Sequence, residues 1–346
     1  MKLKRELVQT CLWCAVLLPG VVQAQFNYVT NNGAITITGY TGSGGAVAIP
    51  DTIDGWPVVS IGNSAFAHST SLTGVTIPDS VTNIANQAFY ACTGLTSFSI
   101  GGGVFYIGQD AFFAWQGTNV DVPANVAYIG HRAFAGPKLQ AITVDPLNPS
   151  YYSTDGVLFS RNPSGLVQYP VTRAGSYTIP NGVSNIWTFA FYACSKLTTV
   201  TIPPSVTYIG TDSFQYCTNL GDVHFEGDAP YVAAHGATVF DHDDNVTIYI
   251  LSGAGGWAYP PTFFRPLWPW LPKMEVASDT TGAQTNQFGF NITWADGKVM
   301  TVDACTDLAH PVWTPIGTVT LAGGAAYFSD PDSTNYTSRF YRVHSP

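Results

Sequence analysis

The chain has 346 residues, with 13 Lys and Arg against 22 Asp and Glu, for a formal net charge of −9. A chain this acidic repels nucleic acid and anionic membranes, and no Lys/Arg cluster beyond the first few residues reverses that. Only 10% of residues are charged while 46% are apolar, with 34 Gly and 23 Pro, which is the composition of a folded, turn-rich, mainly β protein rather than a disordered one.

Residues 1–24 read as a signal peptide. Lys2, Lys4 and Arg5 form a basic start, an apolar run extends from Leu12 to Val22, and Val22-Gln23-Ala24 sets small residues before a cleavage point at Gln25. The run is too short, and too broken by Pro and Gly, to span a membrane. Leu12-Trp13 ahead of Cys14 do not make a lipoprotein site. After cleavage ten basic residues face 21 acidic ones, a net charge of −11. The expectation is an exported protein, secreted or at the cell surface, with no membrane span after cleavage.

Residues 25–48 carry strand-like text, Ala34-Ile35-Thr36-Ile37-Thr38-Gly39-Tyr40, and read as an N-terminal cap. A repeat then sets in. Thr76-Ile77-Pro78-Asp79-Ser80-Val81-Thr82-Asn83-Ile84 returns as Thr178-Ile179-Pro180-Asn181-Gly182-Val183-Ser184-Asn185-Ile186 and as Thr201-Ile202-Pro203-Pro204-Ser205-Val206-Thr207-Tyr208-Ile209. Each copy leads to a small residue and Phe: Ala88-Phe89, Ala190-Phe191, Ser213-Phe214, and in weaker copies Ala65-Phe66, Ala111-Phe112 and Ala133-Phe134. The steps from Ile77 to Ile100, Val122 and Val144 are 23, 22 and 22 residues, and Ile179 to Ile202 is 23. A period in the low twenties fits one solenoid coil per repeat, with stacked coils burying what no single coil can bury alone. Val144 to Ile179 takes 35 residues, so residues 145–175 are expected to be an insertion.

Within a coil, Leu72-Thr73-Gly74-Val75-Thr76-Ile77 alternates apolar with small polar residues, the pattern of a strand buried on one face. Pro78 ends the strand because it has no N–H to donate. Val81 and Ile84 return the chain along the opposite side, and Phe89 fills the middle. The recurring pattern, L-x-x-[VI]-x-I-P-x-S-V-x-x-I-x-x-x-A-F-x-x-C-x-x-L, resembles the BspA-type leucine-rich repeat over about residues 49–225. Two copies depart from it, with Gly101-Gly102-Gly103 in place of the Pro and Pro137 in place of the Cys. The resemblance implies a non-enzymatic role in surface adhesion or in binding extracellular proteins.

Four cysteines follow the signal. Three of them, Cys92, Cys194 and Cys217, stand three residues after a repeat Phe, a position shared with Ser69, Trp115 and Pro137, and so read as packing residues. Cys194 and Cys217 should stack in adjacent coils, which leaves a disulfide between them open. The solenoid is expected to span residues 49–272, with Trp257, Trp268 and Trp270 in a Pro-rich segment that either caps the last coil or stacks on sugar rings. Residues 275–346 lose the repeat. Short strand candidates at 288–294, 298–304, 313–321, 325–328 and 339–344 suggest a small β-sandwich, with Asp296-Gly297 as a hairpin turn. The expected fold class is therefore mainly β, a leucine-rich-repeat solenoid followed by a small C-terminal β-sandwich.

Catalytic and metal signatures are weak. His235 with Asp241-His242-Asp243-Asp244 lacks the spacing of a calcium loop and reads as a solvated turn. Glu226 and Glu275 are the only Glu after the signal, too sparse for a paired-carboxylate hydrolase. His68, His131 and His224 fall at positions that vary between copies. No catalytic residue, metal or cofactor is expected. Binding is assigned instead to strand residues facing outward: Thr73, Thr76, Thr96, Ser99, Asp121, Gln140, Thr143, Thr199, Thr201, Asp222 and His224. Strands about 4.8 Å apart over about eight coils form a face on the order of 40 Å long. The expected partner of this monomer is an extracellular protein or, through the aromatic segment or the C-terminal module, a glycan.

Overall fold

A computed structural model describes residues 25–233, 238–243, 245–251, 254–257, 267–269, 273–276, 288–308, 310–336 and 338–345. Residues 1–24, His235, Asp244 and Trp270 lie outside these, so the expected signal peptide and part of the aromatic segment are not described.

The chain is mainly β and winds into a solenoid of leucine-rich-repeat type. Phe26–Asn31 and Ala34–Tyr40 form an antiparallel hairpin, and Ala34–Tyr40 then pairs in parallel with Trp56–Ile61. From there each coil adds one rung to each of two parallel ladders. The first carries Gly45–Ala48, Leu72–Thr76 and Ser97–Ser99 in parallel register. On the opposite side Ile61, Ile84, Ile107 and Ile129 meet in register.

The alternation explains the core. Leu72, Val75, Ile77, Val81 and Ile84 are all buried, while Thr73 and Thr76 are exposed. The repeat phenylalanines form a ring column along the axis: Phe66–Phe89 at 4.7 Å between centroids, Phe89–Phe112 at 5.0 Å and Phe112–Phe134 at 6.1 Å. It resumes with Phe191–Phe214 at 4.6 Å and Phe214–Phe240 at 5.2 Å. Phe240 thus carries the ring column one coil beyond Phe214, within the span expected for the solenoid.

In most coils two positions carry positive φ without glycine. Gln87, Asp110, Arg132, Phe189 and Asp212 share one corner (φ 54–59°), and His68, Ala91, Ala114, Ala193 and Tyr216 share the next (φ 54–67°). Tight corners demand this conformation, and hydrogen bonds to the adjacent coil hold it, such as Gln87 N to Gln109 O and Ala91 N to Phe113 O, both 2.8 Å.

The segment expected as an insertion is corrected by the structure. Leu166 pairs in register with Ile186, Tyr169 N donates to Ala190 O, and the Tyr169 ring lies 5.0 Å from Phe191. Tyr169 therefore occupies the repeat-Phe position, and residues 164–175 follow the coil path. The sequence hid this coil in two ways. Tyr replaces Phe, and three residues separate Leu166 from Tyr169 where five separate Ile84 from Phe89 and Ile186 from Phe191. The additional piece is an antiparallel hairpin, Tyr151–Thr154 with Val157–Arg161. Its second strand partitions the core: Leu158 packs into the cluster that includes Phe134, whereas Val157 and Phe159 pack into the cluster that includes Phe191.

Residues 273–276, 289–293 and 325–329 form one antiparallel sheet, and 314–320, 299–305 and 340–344 form another. Phe290, Ile292, Met300, Val302, Leu321 and Phe328 make their shared core, giving the C-terminal β-sandwich. Asp296-Gly297 is not a hairpin turn, because Gly289–Thr293 and Val299–Cys305 belong to different sheets. The Asp296 carboxylate accepts from Gly297 N (2.9 Å) and Gly324 N (3.2 Å), which fixes a crossover between the sheets. Asp296 N donates to Glu226 Oε1 at 3.2 Å, a contact from the module to the solenoid. Burial, first of all, raises the Glu226 carboxyl above its ordinary range.

Candidate functional site

The first ladder aligns outward side chains in columns. Thr76 faces Ser99 in register, Asp121 faces Thr143, Thr199 faces Asp222, and Thr201 faces His224. Thr73, Thr96 and Gln140 are exposed at the starts of the strands, where Thr96 Oγ1 donates to Thr73 O at 3.1 Å. Thr199, Thr201, Asp222 and His224 are half-buried, and His224 stacks on Tyr249 with 4.8 Å between centroids. Ser97, Asn119, Ser176, Thr178, Thr247 and Tyr249 occupy the same columns and were missed. Counting back one and three residues from each inward Ile or Val anchor would have found most of them.

The face is not one uninterrupted sheet as expected. It runs as three ladders: 45–48 with 72–76 and 97–99, then 119–122 with 141–144, then 175–178 through 267–269. The second break lies where the hairpin enters. Ile142 N donates to Gly156 O, and a Cβ on Gly156 would stand only 2.8 Å from the Ala141 Cβ, so the hairpin turn presses against the edge of that ladder.

Trp257 is half-buried, edge-on to Phe225 at 4.8 Å, with its Nε1 donating to Gly227 O at 3.4 Å. Leu267–Pro269 adds a parallel rung beside Ile248–Ile250, placing Trp268 opposite Tyr249 along the backbone. Asp241 and His242 meet at 2.9 Å, and His242 stacks on Tyr216 at 4.4 Å, so these side chains continue a ring column on the coil exterior. Among the described residues no three His, Cys, Asp or Glu are placed to hold a metal ion, and no helix is long and apolar enough to cross a membrane.

The cysteines are buried free thiols. Cys92 Sγ donates to Phe66 O and Cys217 Sγ to Phe191 O, each at 3.0 Å, while Cys194 Sγ lies 3.8 Å from Tyr169 O. Each therefore contacts the carbonyl of the ring residue one coil back, which again assigns Tyr169 to the Phe position. Burial pushes the Cys92 thiol up to about 11 and the Cys217 thiol well above its usual range.

A feature the sequence reading did not foresee lies on another edge. A cavity of about 380 Å³ opens between the Phe134 coil and the Phe191 coil, lined by residues that include Phe113, Ala135, Pro137, Val171, Tyr192 and Lys196. Because the Leu166–Tyr169 coil is two residues short, the corners on either side of it converge. Arg132 lies 4.3 Å from the Phe189 ring centroid and 5.1 Å from that of Tyr192. Its guanidinium also grips Asp110, which is 1% exposed. Burial raises the Tyr192 phenol, with the Arg132 charge opposing, so the cavity wall is a neutral phenol.

A family profile for the BspA type leucine-rich repeat region matches six copies over residues 47–154 and 171–250, more than half of the chain. The chain belongs to the BspA-type leucine-rich-repeat family. Solved structures similar to this BspA-type chain include a leucine-rich cell surface protein from Faecalibacterium prausnitzii, at 23% identity over 70% of this chain and 92% of that one, with a TM-score of 0.36. A leucine-rich-repeat protein from Eubacterium ventriosum shares 21% identity over 66% and 77% of the two chains, with a TM-score of 0.43. The pneumococcal vaccine antigen PcpA shares 14% over 67% and 93%, with a TM-score of 0.38. No curated protein matches the chain. In this BspA-type solenoid the gap in the family match, residues 155–170, falls on the hairpin and the short coil.

Proposed function

We propose that the chain is a non-enzymatic protein-interaction module, exported through residues 1–24 and acting as a monomer outside the cell or at its surface. Its partner is an extracellular protein, bound along the outward columns of the first ladder. The observation that supports this most directly is the register itself. Thr178, Thr201, His224 and Tyr249 stand on consecutive rungs, with Ser176, Thr199, Asp222 and Thr247 beside them. These side chains offer hydroxyl, carboxylate and imidazole groups on a preformed scaffold, which limits the ordering entropy of binding. The columns contain Asp121 and Asp222 but neither Lys nor Arg, which suits a neutral or basic partner surface.

The glycan reading draws less support. Trp257 packs its ring on Phe225 and ties its N–H to the chain, which is the behaviour of a cap over the last coils. The test is capture of a panel of purified extracellular-matrix and plasma proteins and glycans on immobilised protein. Thr201→Arg and Thr76→Arg, both at column positions, should reduce protein capture while leaving the melting temperature unchanged. Capture of glycans alone, or protein capture indifferent to both substitutions, would overturn the reading.

A further inference from the structure

The cavity between the Phe134 and Phe191 coils has walls of two kinds. On one side the Phe113 and Tyr192 rings meet, with 6.0 Å between centroids and a tilt of 55°. The Arg132 guanidinium lies over both, at 5.2 and 5.1 Å, and Asp110 already matches its charge. Rings that pack on each other in this way leave no slot for a third ring between them. The other walls are aliphatic, from Ala114, Ala135, Pro137, Val171 and Ala193. The volume of about 380 Å³ is that of a small-molecule site, ordinarily about 300–1,000 Å³. Such walls favour an alkyl guest, whose surface gains by leaving water.

The polar groups of the lining are few. Thr172 Oγ1 is spent on Leu139 O at 2.8 Å. Ser195 and Lys196 are adjacent, exposed and part of the lining. Lys196 makes no ion pair among the described residues. No Asp or Glu lines the cavity, although the chain carries 22 of them. The one formal charge in the lining is therefore the Lys196 ammonium, with the Ser195 hydroxyl beside it. An aliphatic chamber bordered by one unpaired cation is complementary to an alkyl chain that ends in one anionic group.

We infer that this cavity binds a free fatty carboxylate, its alkyl chain against the aliphatic walls and its carboxylate at Lys196 and Ser195. The site lies on a corner edge of the solenoid and is independent of the protein partner proposed for the sheet face.

The test is isothermal titration of the chain lacking residues 1–24 with hexanoate, octanoate, decanoate and dodecanoate, each below micelle formation. Affinity should rise about fourfold per methylene and level off once the cavity is full. Octanoate should bind about fivefold or more tightly than octanol or octyltrimethylammonium. The net charge of the chain favours the ammonium compound, so a carboxylate preference must come from the lining. Lys196→Gln should bring octanoate to the level of octanol, and Pro137→Trp, an exposed change, should abolish decanoate binding at an unchanged melting temperature. Ala135→Leu serves as a second filling variant if Pro137→Trp fails to fold. No dependence on chain length, equal binding of carboxylate and ammonium compounds, or affinities unchanged by these variants overturns the inference. So does 2-naphthoate matching decanoate, which would make the guest aromatic. Capture of phosphatidylglycerol vesicles that Pro137→Trp removes would overturn it as well, moving the source to membrane lipid.

Discussion

Arg132 closes on Asp110 through two bonds, Nε to Oδ1 at 2.8 Å and Nη2 to Oδ2 at 3.0 Å, and the two partners differ sharply in burial. The Asp110 side chain is 2% exposed and the Arg132 side chain 21%. Removing one partner is therefore not equivalent to removing the other. Arg132→Leu strands a buried carboxylate and should cost about 3–5 kcal/mol. Asp110→Ala leaves a guanidinium that reaches solvent and keeps its ring contacts, so the loss should stay below about 2 kcal/mol. Urea unfolding of both variants checks the order, and equal losses would mean that the pair is not buried as described.

The ring column makes a second contrast. Phe89 is fully buried between Phe66 and Phe112, while Thr76 points outward from its strand. Phe89→Ala should cost about 3–5 kcal/mol, most of it from the void left between stacked neighbours. Thr76→Ala should change stability by no more than about 0.5 kcal/mol. Chemical denaturation with matched m-values is the measurement.

The buried thiols set an alkaline limit. Cys92 is raised from the ordinary 9.0 to about 11, with burial as the leading cause. A raised value means that the folded chain retains a proton which the unfolded chain releases. The contribution is therefore complete below pH 9.0 and lost as pH climbs toward 11. Cys217 is shifted in the same direction. The urea midpoint should fall between about pH 8 and about pH 10.5, and Cys92→Ala should shrink that fall. The thiols should also react with Ellman's reagent far more slowly in the folded chain than in urea.

The positive-φ corners offer a gain. Gln87 is exposed and held at φ 59° by its place in the coil rather than by its side chain. Gln87→Gly removes the Cβ penalty of that conformation at the expense of a more flexible unfolded chain, with a net gain of up to about 1 kcal/mol. Gln116→Gly, at a position without that φ, should destabilise. Thermal melts of the two variants should move in opposite directions.

Much of this architecture was legible because a repeat states the same physical rule many times. Ile77, Ile179 and Ile202 before proline, and Phe89, Phe191 and Phe214 after a small residue, gave the period, the inward face and the stacked rings. Strand positions in 289–344 followed from alternation, but their pairing did not. Asp296-Gly297 has the local chemistry of a hairpin, and only the shared core of the two sheets decides that it crosses between them. Tyr169 was hidden because its coil breaks the template in length and in side chain together. The cavity was illegible for a related reason: it forms where the shortened coil brings the corners of Phe113 and Tyr192 together, and such a convergence of distant residues leaves no motif. Cys194 and Cys217, read as packing residues, do pack, each against a carbonyl of the coil before it.

The partition strand Val157–Arg161 has a mechanical consequence. Coils on either side of it bury separate clusters, and Val171 is one of few side chains touching both. In a one-dimensional stack, cooperativity passes only through neighbour interfaces. A thin interface in mid-stack uncouples the halves, so stress or heat applied at one end should be arrested there. Hydrogen exchange should accordingly resolve two blocks of protection that meet near residue 160, each opening while the other stays closed.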